Sequence, residues 1–108
     1  MKLVIAIVQD QDVSSLLDEL TTNEFRVTKL ASTGGFLRAG NTTLLIGVED
    51  DKLDIIKGII HKVCASREIT TTMPPLSVAQ DTYVPYTFEI KIGGATIFIL
   101  DVERYERI

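Results

Sequence analysis

Leu3-Val4-Ile5-Ala6-Ile7-Val8 is an unbroken apolar run, rich in β-branched residues and too short for a helix, which predicts a central strand covered on at least one face. Polar residues follow at 9–12. Val13, Leu16, Leu17 and Leu20 then recur at i, i+3, i+4 and i+7, the stripe of a helix that Asp10 or Asp12 is expected to cap and that ends near Thr22. From 25 to 30, Phe25 and Val27 alternate with Arg26 and Thr28, so a strand there sets the last two side by side on its opposite face. A third strand is read over 43–48. A second helix, started by Asp50 or Asp51 and carrying Leu53, Ile56, Ile59, Ile60 and Val63, ends around 64–66.

The next 15–20 residues contain adjacent prolines, four threonines and no helical stripe, and read as a long connection, a feature usually functional or mobile. Phe88, Ile90 and Ile92 then alternate with polar neighbours. Gly93-Gly94 leads into a last apolar run, 95–100, which predicts a C-terminal hairpin on a primed turn. The order β-α-β-β-α-β, with its last strand doubled, is that of an α+β, ferredoxin-like sandwich with both helices on one face of an antiparallel sheet. The strands carry more apolar side chains than a solvated second face would use, so a homo-oligomer covering that face is expected.

Composition narrows the function classes. The 108 residues suit one domain, and 45% hydrophobic with 24% charged residues is enough to build a core. The opening apolar run stops at Val8 with no cleavage site, which reads as neither signal peptide nor membrane span and makes the cytoplasm the expected location. A net charge of −4 argues against binding a nucleic-acid backbone. Cys64 stands alone with His61 three residues away, too few ligands for a metal; both are read as helix residues with packing roles, and no cofactor is expected.

The chemistry concentrates in "TGGFLRAGNTT", residues 33–43. Gly35 and Gly40 have P-loop spacing, but Asn41-Thr42 stands where Lys-Ser/Thr is needed and a strand follows where a helix should. No Rossmann fingerprint occurs either. Two readings stay open. The glycines can simply shape a wide turn, with Phe36 packing and Arg38 solvated. Alternatively, the glycines bring the backbone close to a ligand, Phe36 offers a stacking face, Arg26 and Arg38 offer phosphate donors, and Asn41 offers an amide for a base edge. A hydrolase is disfavoured because no acid, base and nucleophile come together in the pattern, so the chain is not read as an enzyme.

Three blocks, 5–12 "IAIVQDQD", 25–50 "FRVTKLASTGGFLRAGNTTLLIGVED", and "YVPY" with "GGATIFIL" within 83–100, resemble the PII-like cyclic-di-AMP receptor family of Gram-positive bacteria. The resemblance spans nearly the whole chain. It implies a single PII-like domain over 1–108, a short ligand loop at 32–41, a long flexible loop at 67–83, and a homotrimer that binds cyclic-di-AMP at subunit interfaces. It further implies that Arg26 and Thr28 face the ligand, that Gly35, Phe36 and Leu37 wrap an adenine, that Asn41 bonds a base edge, that Gly47 leaves room, and that Phe98 lies near the ligand. Signalling to a downstream protein partner is implied, with no nucleic acid or membrane involved. Three positions depart from the family pattern: Glu24 replaces a common Asn, Arg107 replaces a Gln of some members, and 76–80 lacks a Gly-Gly pair. Glu24 motivates the alternative of a PII-like interaction module with altered or lost ligand specificity, since a carboxylate repels an anion.

Overall fold

A computed structural model describes residues 1–30, 40–73 and 86–108 of the chain. Its elements are β1 (Lys2–Gln9), α1 (Asp10–Thr22), β2 (Val27–Leu30), β3 (Asn41–Val48), a 3-10 turn (Asp50–Lys52), α2 (Leu53–Cys64), β4 (Arg67–Met73), β5 (Tyr86–Ile92) and β6 (Ala95–Asp101). The main sheet runs β2-β3-β1-β6, antiparallel throughout, with β1 inside it as its apolar run predicts. This small α+β arrangement, two helices against an antiparallel sheet, is compatible with the ferredoxin-like sandwich.

Alternation along the strands decides which face the helices cover. Val4, Ala6 and Val8 on β1 and Leu44, Ile46 and Val48 on β3 are buried against Val13, Leu16 and Leu20 of α1 and Ile56, Ile59 and Ile60 of α2. Burying each of the larger side chains contributes about 1.5–3 kcal/mol, so this stripe-on-sheet contact dominates the stability of the fold. Cys64 completes the core at 0% exposure, the packing role expected of it. On the opposite face, register aligns Thr28, Leu45, Ile5 and Phe98 in one row across the four strands. Phe98 and Leu100 there are 47% and 45% exposed, the apolar surplus anticipated from the strands.

The C-terminal hairpin does not form. Gly93 and Gly94 have the positive φ of a turn, +83° and +97°, yet β5 pairs with β4 while β6 pairs with β1. The glycines carry the chain from one sheet to the other because β1 offers β6 an apolar edge, matching Ile97 to Ala6 and Ile99 to Val4. The start of the expected long loop, 67–73, is correspondingly a strand: its threonines suit a pleated ribbon, and β5 completes their hydrogen bonding. Residues 74–83 of that loop lie outside the described residues. Neither helix is capped as expected. The N-cap of α1 is Gln9, with no side-chain cap bond, because the Asp10 and Asp12 carboxylates are engaged elsewhere, and α2 is entered through the 3-10 turn.

Candidate functional site

Between α1 and β2 the chain turns in a Schellman motif. Phe25 N–H donates to Leu20 O at 2.9 Å and Glu24 N–H to Thr21 O at 2.9 Å, so Glu24 occupies the left-handed position at φ +65°. It is the one non-glycine residue with positive φ among the described residues, at a place that favours Gly or Asn. The motif aims β2 so that Phe25 and Val27 pack on the core while Arg26 and Thr28 stay exposed.

That exposed edge forms a wall of a cavity of about 700 Å³. Arg26, Thr28 and Gly47 line it together, on a floor of Leu3, Leu45 and Val48, with Glu24, Lys52 and Tyr105 around them. The volume suits a mid-sized organic ligand. Gly47 is open here: a methyl group added at its Cα would meet only the Met1 Cε, at 3.5 Å. Arg26 forms no ion pair or hydrogen bond among the described residues, so its guanidinium is available to an anion. Lys52 adds a second cation, while Glu24 and Glu49 bring two carboxylates into the same wall. The arrangement sets two cations beside two carboxylates in one wall and, among the described residues, contains no nucleophile with an adjacent base.

Other expected residues fall elsewhere. Asn41 begins β3, half-buried and opposite Gln9, outside this cavity. Phe98 is on β6, on the open face, and Arg107 lies exposed in the C-terminal segment; neither lines the cavity. Gly35, Phe36, Leu37 and Arg38 lie outside the described residues. Lys52 and Tyr105 were not singled out from the sequence, because a lysine after three acidic residues and a tyrosine in a charged tail carry no pattern of their own.

Against known protein families, residues 1–108 match the family described as cyclic-di-AMP receptor. The chain belongs to the cyclic-di-AMP receptor family. Its structure is similar to the crystal structure of a functionally unknown protein from Pediococcus pentosaceus ATCC 25745, at 41% identity and a TM-score of 0.79, covering 99% of this chain and 96% of that one. Membership of a receptor family implies a binding and signalling protein rather than an enzyme. Among the described residues no helix is long and apolar enough to cross a membrane.

Proposed function

We propose that the protein is a cyclic-di-AMP receptor that binds its ligand in the Arg26–Thr28–Gly47 cavity, at the interfaces of a homotrimer in the cytoplasm. The convergence of these three residues on one cavity, in a chain matching the receptor family over its whole length, carries the reading. Arg26 supplies a charge-assisted bond to a phosphate, Thr28 a hydroxyl, and Gly47 the space for a base or sugar. Asn41, outside the cavity of its own copy, pairs with a base edge at a neighbouring copy's site, and Gly35, Phe36 and Leu37 wrap an adenine, where stacking contributes roughly 1–3 kcal/mol per base.

The row Thr28-Leu45-Ile5-Phe98 supports the interface placement. Three strand spacings separate Phe98 from Thr28, about 14 Å at ~4.8 Å each, so Phe98 serves the site of a neighbouring copy. Stacking the open face against other copies also removes its apolar surplus from water. Binding orders the segments between β2 and β3 and between β4 and β5 and so presents a changed surface to a downstream protein.

Calorimetric titration with cyclic-di-AMP, using cyclic-di-GMP and ATP as controls, tests this. Saturation near one ligand per subunit at about micromolar strength, roughly −8 kcal/mol, is expected; absence of heat at high protein concentration refutes it. Sedimentation equilibrium should return three times 12.0 kDa, and a stable monomer removes the interface site. A second reading, an interaction module with altered or lost ligand, rests on the Glu24 carboxylate in the cavity wall. It predicts that Glu24→Asn restores or tightens cyclic-di-AMP binding.

A further inference from the structure

Gln9–Asp12, where β1 passes into α1, hold two separate parts of the molecule at once. Towards β3, the Asp10 N–H donates to Gly40 O at 2.8 Å and the Asp10 carboxylate accepts from the Thr42 hydroxyl. These contacts bracket Asn41, which faces Gln9 across the sheet. Towards the β4–β5 ribbon, Asp12, 4% exposed, takes the Arg67 guanidinium on both oxygens, at 2.7 and 3.5 Å, while Gln9 Oε1 accepts from Gly93 N–H at 2.8 Å. Gln11 donates to the same Gln9 oxygen at 3.1 Å. Arg67 also donates to Ala65 O at 3.2 Å, and Gly94 N–H to Cys64 O.

The ribbon depends on this attachment. Two strands alone are marginal in water, and Ile69 and Ile90, opposite one another, remain 42% and 38% exposed. The mount is also tight. A Cβ on Gly93 would lie 2.6 Å from Arg67 Nη1 and 2.7 Å from Ala65 O, so the ribbon base has little slack. Asp10 and Asp12 share one helical turn, so the Gly40–Thr42 stretch and the ribbon base at Arg67 and Gly93 are fastened to the same four residues. Gln9, Asp10 and Asp12 do not line the cavity and their side chains bond the protein's own groups, which gives them positioning roles.

We propose that the Gln9–Asp12 turn links the nucleotide site to the β4–β5 ribbon, Asp10 acting through Gly40 and Thr42 and Asp12 and Gln9 acting through Arg67 and Gly93. This rests on the receptor reading, in which Asn41, held between Gly40 and Thr42, contacts the nucleotide, and it names the residues through which the site's state reaches the ribbon. Linkage is reciprocal: if ligand changes ribbon docking by some factor, undocking the ribbon changes ligand affinity by the same factor, typically about 5–150-fold.

The test uses amide exchange over 67–73 and 86–92 together with calorimetry. In the free protein, Thr42→Val should speed ribbon exchange about fivefold or more while the slow amides of β1 keep their protection, and Thr42→Ser should restore the ribbon. Cyclic-di-AMP should change ribbon exchange in the unmodified protein. Asp12→Asn and Arg67→Gln should each weaken its binding about fivefold or more, their effects combining non-additively. Unchanged ribbon exchange in Thr42→Val overturns the link whether or not nucleotide binds. Affinities within twofold of the unmodified protein in both ribbon-base variants overturn it as well. A silent titration of the unmodified protein refutes the receptor reading alone, since the Thr42→Val measurement needs no ligand.

Discussion

Gly47 offers a perturbation that separates stability from binding. It sits in β3 beside Leu3, a backbone position that any residue can adopt, and an added methyl group meets only the flexible end of Met1 at 3.5 Å, an ordinary contact. Glycine inside a strand is less favourable than alanine by roughly 0.5–1 kcal/mol, because it loses more freedom on folding. Gly47→Ala should therefore raise the urea midpoint by an amount corresponding to about 0.5–1 kcal/mol, at unchanged slope and fixed protomer concentration. The same methyl projects into the cavity shared with Arg26 and Thr28. Overpacking a fitted site costs about 1–3 kcal/mol, so cyclic-di-AMP affinity should fall about 5- to 150-fold, and further for Gly47→Val. Calorimetry on the two variants reads this directly. Dissociation constants unchanged in both would show that the ligand does not pass Gly47, and a loss of stability in Gly47→Ala would show that the strand lacks the space ascribed to it.

Glu24→Asn should raise the denaturation midpoint by up to about 1 kcal/mol, since Asn tolerates the left-handed position at φ +65°, and should tighten cyclic-di-AMP binding by removing a negative charge; unchanged affinity would place that side chain away from the ligand. Leu16→Ala, at 0% exposure in the core, should cost about 2–5 kcal/mol in urea denaturation. Gly93→Ala should destabilise the protein more than Gly94→Ala, because both have positive φ but only the first methyl collides with Arg67 and Ala65; equal losses would remove the packing argument. Burial, aided by the Asp12 charge and opposed by Arg67, pushes the Cys64 thiol from 9.0 up to about 11. The folded chain then holds this proton where the unfolded chain releases it, so the contribution is fully present below pH 9 and is lost between pH 9 and about 11. Cys64→Ala should flatten that part of the alkaline stability loss, and a thiol reagent at pH 8 should label Cys64 only on unfolding.

The sequence alone determined the helices, the central place of β1 and the exposed Arg26–Thr28 pair, because each follows from a local period. The heptad-like stripes of α1 and α2 need one buried face, and the alternation of 25–28 leaves its polar members outside wherever the strand docks. The glycine-rich block likewise carried the family resemblance without coordinates. Strand partnership was another matter. Gly93-Gly94 has the residues of a hairpin turn, and only the competition for the edge of β1 sent β6 to one sheet and β5 to another. The acidic residues at 10 and 12 look like caps locally, and only the approach of Thr42 and Arg67, 32 and 55 residues further along the chain, turned them into mounts for β3 and the ribbon. The cavity, too, joins Arg26 and Thr28 to Gly47, Lys52 and Tyr105 from distant parts of the chain. Local periodicity encodes which way a side chain faces; what it faces depends on long-range contacts that form only when the chain closes on itself.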